Sequence, residues 1–484
     1  MSLKRNTLLN LAGNLVPTVI SLITIPLYLQ FIGPARYGAW VIIWTFLSYF
    51  SVFEFGLSRA VANGIARTKE SAAEERAQIF WAAVWLSAVF ALSGAVLLYL
   101  VATPLLSLVF KVDADLLTDI VGALPWIAAC VPVNVLGNVA VGALEGRERF
   151  LTINLLQFLG FTLFQIAPLA AIIWWGPSLG LMVAVAVLAR ALTSGAQWVA
   201  ALLSLGVRAI YGPLRGGISW LLGYGAWAAV TGLANPIMES VDRLLIGSVL
   251  GAKSVAFYSV PFGLADKVRI FPDALQRSLF PKFSRQADAA EALKQAEVAT
   301  LNLVVVMTLL LAPAMFAIGP FLTLWVGDEF AQQAAPLGQI FLLGMWVSAP
   351  VFVPRTLLQS MGRPDLVAKF QMAEFLPYVA ILWLCLDQWG LVGAALAWVA
   401  RGLADTGLTF WVAKLRWKSL GLGLPCALIV GAAFYLAFTL GPPLLEAIPY
   451  SLAFGLVALL PGYLVAPEFF RLSRRKPADP VRGR

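Results

Sequence analysis

Residues 77–103 read AQIFWAAVWLSAVFALSGAVLLYLVAT, a run without a single formal charge. As an α-helix it would extend about 40 Å, enough to cross a hydrocarbon core of about 30 Å. The apolar side chains follow one another without the alternation of a barrel strand, so a helix is the spanning form implied. Its flanks mark the edges of the bilayer: Arg67, Lys69 and Arg76 come before it, and Lys111, Asp113 and Asp115 follow. The same pattern recurs along the 484 residues, of which 60% are hydrophobic and only 12% charged. Soluble domains carry about twice that charge. The spacing predicts an all-α polytopic membrane protein with about 14 transmembrane helices, the first two over 8–32 and 38–62 and the last two over 419–440 and 448–470.

The 34 Lys and Arg residues orient this map. With a cytoplasmic N-terminus, 23 of them fall on cytoplasmic loops and tails, and only Arg36, Lys111 and Lys253 fall outside. That asymmetry predicts both termini in the cytoplasm. Lys4 and Arg5 before an apolar run resemble the start of a signal peptide, but no small-residue cleavage site follows, so an uncleaved first span is expected. The net charge of +9 is explained by orientation and by attraction to lipid headgroups, without nucleic acid.

Several chemistries are excluded. The chain has no histidine, and Cys130, Cys385 and Cys426 are too scattered for a metal motif, so no metal and no cofactor is expected. No phosphate-binding loop of the Gly-x-x-x-x-Gly-Lys type is present, which points to an ion gradient rather than nucleotide as the energy source. The longest external loop, 104–116, is too short for a periplasmic catalytic domain, so the chain is not expected to be an enzyme.

Fifteen ionisable residues remain inside the expected spans: Arg59, Arg190, Arg243, Lys267, Arg269, Arg277, Arg355 and Arg401, with Glu54, Glu239, Asp242, Asp266, Asp273, Glu374 and Asp405. At about 3 kcal/mol each against lipid they must meet one another or a watered cavity. On the eighth span Asp266, Arg269, Asp273 and Arg277 are spaced to share one helical face. On the seventh, Glu239, Asp242 and Arg243 form a smaller cluster. Two readings stay open for both: ion pairs that fix packing, or a site for an anionic guest. The cation excess around Arg269 and Arg277 favours the guest.

An internal repeat lies at an offset of 218 residues, pairing Gly33 with Gly251, Phe53 with Phe271, Leu57 with Leu275, Arg59 with Arg277 and Arg67 with Arg285. Six crossings separate the copies, so two lobes of the same orientation are expected, as in transporters built from parallel repeats. The expected organisation is a six-helix lobe over 1–210, a pseudo-symmetric six-helix lobe over 211–415, and two further helices with a basic tail over 416–484.

The local sequence also carries a resemblance. Asn10-Leu11, Ile25-Pro26-Leu27-Tyr28, Ile32-Gly33, Tyr37-Gly38-x-Trp40 and Phe55-Gly56-Leu57 resemble the opening helices of the polysaccharide-transport and O-antigen flippase group of the multidrug/oligosaccharidyl-lipid/polysaccharide exporter superfamily. Leu144-Glu145-Gly146, Arg149-Phe150, Asp242-Arg243, Phe280-Pro281, Trp325-Val326-Gly327 and Gly362-Arg363 continue it to about residue 370. Glu54-Phe55 departs from the Asp usual there, and 14 spans exceed the 12 of many such flippases. The resemblance implies translocation of a polyprenyl-diphosphate-linked oligosaccharide across a bacterial inner membrane for O-antigen or exopolysaccharide assembly, with glycan polymerase and chain-length machinery as partners. Arg59, Arg243, Arg269 and Arg277 are then the candidate cations for the diphosphate, and Glu54, Glu239, Asp242, Asp266 and Asp273 the candidate ion-coupling carboxylates. A drug/cation antiporter of the same superfamily is the alternative, and a membrane-bound glycan polymerase a remoter one.

Overall fold

A computed structural model describes residues 3–68, 72–109, 114–206, 210–212, 237–238, 240–286, 288–415 and 423–461. Among them every regular element is helical, and nine helices are long and apolar enough to cross a membrane. The protein is an all-α polytopic membrane protein. Most of the expected seventh span, with Pro236 and Glu239, lies outside the described residues; its described remainder is a helix over 240–250.

The chain divides into two compact units, Met1–Ala256 and Phe257–Arg484. In the first, α1 (Leu3–Tyr49) contains the first expected span and the start of the second, because the break between them is confined to Gly33. Its φ of 76° and ψ of 166° suit only glycine, and Pro34 then starts the next helical stretch with its ring already at a helical φ. Gly251, its repeat partner, has a φ of 84° and likewise precedes a helix, α7 (Ala252–Asp266).

The repeat pairing continues along the following span of each unit. In the first, a 3₁₀ turn over Phe50–Glu54 leads through Gly56 into α2 (Leu57–Arg67). In the second, a 3₁₀ turn over Lys267–Arg269 leads into α8 (Ile270–Arg285). Both helices end on the paired residues Arg67 and Arg285, followed by an extended residue. The turn at 267–269 corrects one expectation. The spacing of Asp266, Arg269, Asp273 and Arg277 assumed an unbroken α-helix, and the tighter turn shifts the angular register between 266 and the residues after it.

The core of the first unit is built where α4 (Ala114–Gly146) meets α2, α3 (Ala73–Val109) and α6 (Leu179–Leu205). Small residues dominate it: Ala60, Ala83, Ala140, Ala143 and Ala201 are fully buried beside Leu57, Phe80 and Val139. Between membrane helices, burying an apolar side chain gains little over leaving it in lipid, so close backbone approach and dispersion must hold the contact. At Gly142 the approach is close, the α2 backbone at Ser58 occupying the space a Cβ would need. The remaining helix of this unit, α5 (Phe150–Trp175), packs on α1 and α6.

In the second unit α9 (Ala289–Val326) runs beside α10 (Asp328–Ser348), which continues through a 3₁₀ turn into α11 (Phe352–Ser360). The long α12 (Pro364–Val412) contains two expected spans, broken at Gly390, where φ is 58°. Two last helices, α13 (Leu424–Leu440) and α14 (Leu444–Val457), pack on α9. Gln339 donates to the Ala437 carbonyl at 3.1 Å, Ser451 to the Pro313 carbonyl at 3.1 Å, and Phe316 stacks on Tyr450 at 5.4 Å. The Ser451 bond and the Phe316–Tyr450 stack both tie α14 to α9.

Candidate functional site

The first unit holds three adjoining cavities between its membrane helices. The largest, about 480 Å³, is walled by Tyr28, Tyr37, Trp40 and Trp44 of α1, Phe164 and Gln165 of α5, and Ser240 and Arg243 of helix 240–250. A second, about 310 Å³, shares Trp44, Ser48 and Phe164 with it and adds Asn134, Asn138 and Arg190. A third, about 320 Å³, shares Asn134, Asn138, Phe164 and Arg190 and adds Gln157, Thr193, Ser194 and Gln197. Among the described residues no Asp or Glu lines any of the three.

The walls are fixed by hydrogen bonds that cross between helices. Tyr28 donates its hydroxyl to the Gln165 carbonyl at 2.8 Å, and the Gln165 carboxamide donates to Ser21 at 3.3 Å. Tyr49 and Ser240 share a hydrogen bond at 3.0 Å, tying α1 to the helix that carries Arg243. Trp198 donates to the Leu136 carbonyl at 3.1 Å, fixing α6 to α4. Aromatic edges complete the wall, with Trp44 edge-on to Phe164 at 4.6 Å and to Trp40 at 5.2 Å. Such a chamber can take a polar guest through carboxamides and hydroxyls, attract an anion through its two arginines, and present aromatic faces to a ring.

Of the residues singled out by sequence, Arg243 lines the largest cavity. Beside it Asp242 is buried, and one of its carboxylate oxygens accepts the Arg243 backbone N–H at 2.8 Å. Glu54 accepts from the Asn138 carboxamide at 2.7 Å, which joins it to a cavity-lining side chain. Arg59 is exposed on α2 and lines none of the three.

The second-unit candidates are arranged differently. Arg269 pairs with Asp266 at 3.3 Å and lies over the Phe352 ring at 5.7 Å. Arg277 is exposed and donates to the backbone carbonyl of Asp273 at 3.3 Å. Glu239 lies outside the described residues.

Arg190, Arg355, Glu374, Arg401 and Asp405 are intramembrane charges to which the sequence alone assigns no role. Arg190 carries the second and third cavities. The other four form one group in the second unit. Arg355 pairs with Asp405, which also accepts from Thr409 at 3.3 Å. Arg401 lies over Tyr378 at 5.0 Å, and Glu374 is within electrostatic reach of Asp405, Arg401 and Arg355. Glu374 is 8% exposed, and among the described residues neither of its carboxylate oxygens is hydrogen-bonded. No sequence signal marks these partners, since they sit on three separate helical stretches.

Comparisons with known proteins agree on the class. A family model described as polysaccharide biosynthesis protein matches residues 30–335. A Shigella flexneri protein named "Putative O-antigen transporter" is 26% identical over 415 residues, covering 85% of this chain and 98% of its own length. Among solved structures, a lipid II flippase in an inward closed conformation superposes with a TM-score of 0.73 at 12% identity, covering 97% of this chain and all of the other. A multidrug-resistance transporter in its inward-facing conformation gives a TM-score of 0.63 at 14% identity over 84% of this chain and 95% of its own. These two likenesses establish a fold shared with the exporter superfamily.

Proposed function

The chain belongs to the family of polysaccharide biosynthesis proteins, and from that membership we propose that it is a flippase for a polyprenyl-diphosphate-linked oligosaccharide. The observation that carries this reading is the chamber inside the first unit, which joins Arg243 and Arg190 to hydroxyls, carboxamides and aromatic rings and, among the described residues, is lined by no Asp or Glu. A cationic drug would be repelled there, whereas a diphosphate and its sugars find matching chemistry. This argues against the antiporter alternative. The prenyl chain needs no protein site, because it can remain in lipid while the headgroup crosses.

In this reading 14 spans form two six-helix lobes, 1–210 and 211–415, with 416–484 added to them, and the lobes alternate access to the two leaflets. The paired glycines Gly33 and Gly251 and the paired 3₁₀ turns support the duplication. Both termini are cytoplasmic. Single cysteines at positions 70 and 113 should therefore label from opposite sides of the inner membrane; labelling from one side would overturn the map.

Arg243, with Arg59, Arg269 and Arg277, receives the diphosphate. Arg243→Ala should lower glycan export at least tenfold with unchanged membrane levels, and Arg243→Lys should restore part of it, since lysine lacks the planar fork. Export that is normal in Arg243→Ala and in the Arg269→Ala, Arg277→Ala double mutant would exclude the site. Drive comes from an ion gradient through one or more of Glu54, Glu239, Asp242, Asp266 and Asp273, to which the buried Glu374 is added. Export that persists after proton and sodium gradients are both collapsed would refute this step.

A further inference from the structure

The third cavity has a chemistry of its own. Arg190 sits midway along α6, where an uncompensated cation is costly to keep in a membrane. Among the described residues its side chain makes no ion pair and no hydrogen bond; its guanidinium is held over the Phe164 ring at 5.1 Å. That contact orients the group while leaving its fork of N–H donors unspent. Around it are four carboxamides, of which Gln157 and Gln197 make no hydrogen bond among the described residues. Asn134 donates to Cys130 at 3.3 Å and Asn138 to Glu54 at 2.7 Å, so both keep a carbonyl oxygen as acceptor.

We propose that this chamber is a subsite for one sugar residue bearing a carboxylate, such as a hexuronic acid, with Arg190 gripping the carboxylate and the carboxamides reading the ring hydroxyls. The proposal rests on the flippase reading above and deepens it. Carboxamides donate and accept at once, which suits neighbouring hydroxyls. A planar guanidinium matches a carboxylate with two parallel hydrogen bonds. The same fork would also accept a phosphate oxygen, so the carrier diphosphate is the other source of a suitable anion. Among the described lining residues Arg190 is the one charged group, which balances a single negative charge, whereas a diphosphate carries more. The volume of about 320 Å³ is at the small end for ligand pockets and suits one monosaccharide.

The test uses the purified full chain in detergent, with the fluorescence of its tryptophans, Trp44 among the cavity walls, as readout. It is titrated separately with D-glucuronate, D-glucose and inorganic pyrophosphate. Glucuronate should bind about tenfold more tightly than glucose or better. Arg190→Gln should bring the two to parity, Arg190→Lys should keep part of the preference, and Gln157→Leu should weaken both sugars while leaving the preference intact. Pyrophosphate binding should be unchanged in Arg190→Gln. Equal affinity for both sugars in the parent protein, no saturable response to glucuronate, or loss of pyrophosphate binding in Arg190→Gln would overturn the proposal, the last assigning Arg190 to the carrier diphosphate. In cells supplied with matched lipid-linked repeat units, Arg190→Gln should impair export of the hexuronate-containing unit and spare the neutral one. Equal impairment of both would count against the subsite. Failure of the parent protein to export either would defeat the flippase reading, while the sugar titration would still decide the subsite.

Discussion

Gly142→Leu is expected to unfold the first unit or leave it too unstable to purify. A Cβ at this position of α4 falls well inside contact distance of the Ser58 carbonyl, carbon and Cα on α2. Those are backbone atoms, so no rotamer change can make room, and the two helices must separate. Separation opens the surrounding core, where Leu57, Ala60, Val139 and Ala143 have no exposed surface. Overpacking of this kind costs on the order of 3 kcal/mol, a large share of a typical folding margin. Gly195→Ala on α6 is the control, because nothing stands within 4 Å of its added Cβ. There the substitution should be neutral or stabilise by up to about 1 kcal/mol through helix propensity. Thermal unfolding in detergent compares the two. A Gly142→Leu protein melting with the parent would show that α2 and α4 are not held at this distance.

The class of the fold is legible in the sequence because a bilayer constrains it so tightly. A charge-free run such as 77–103 can satisfy its backbone in lipid only as a helix, and α3 covers it. The breaks are legible where they fall on glycine, as at Gly33 and Gly251, since positive φ is a local demand. The 3₁₀ turn at Lys267–Arg269 is not legible, because no residue there forbids an α-helix.

For the candidate site, intramembrane charge is a signal that names residues without revealing their partners. Asp266 and Arg269 lie three apart, and their pairing follows from helical spacing. Arg190 and Phe164 lie on different helices, and Arg355 and Asp405 are 50 residues apart, so only the packing of helices brings them together. The chamber's carboxamides were missed for another reason. Asn and Gln carry no charge, so a search for intramembrane ions passes over Asn134, Asn138, Gln157 and Gln197.

The second large effect is expected at the Arg355–Asp405 pair. The two side chains are 21% and 15% exposed, and they sit in a group whose formal charges cancel: Arg355 and Arg401 against Glu374 and Asp405. Asp405→Ala leaves two cations facing one carboxylate, and Arg355→Ala leaves the reverse. Either should cost about 3–5 kcal/mol, since an uncompensated charge is left in a poorly solvated interior. Removing both members restores neutrality. The Arg355→Met, Asp405→Leu double mutant should therefore recover most of the lost stability, giving a strongly non-additive cycle. A stability measurement on the four proteins also separates structure from transport. If the double mutant regains its melting temperature and its glycan export, the pair serves packing alone. If it regains stability but not export, the group around Glu374 takes part in the transport cycle, because the neutral core is then sound and only the charges are gone. Additive losses in the double mutant would mean that the two side chains do not stabilise one another.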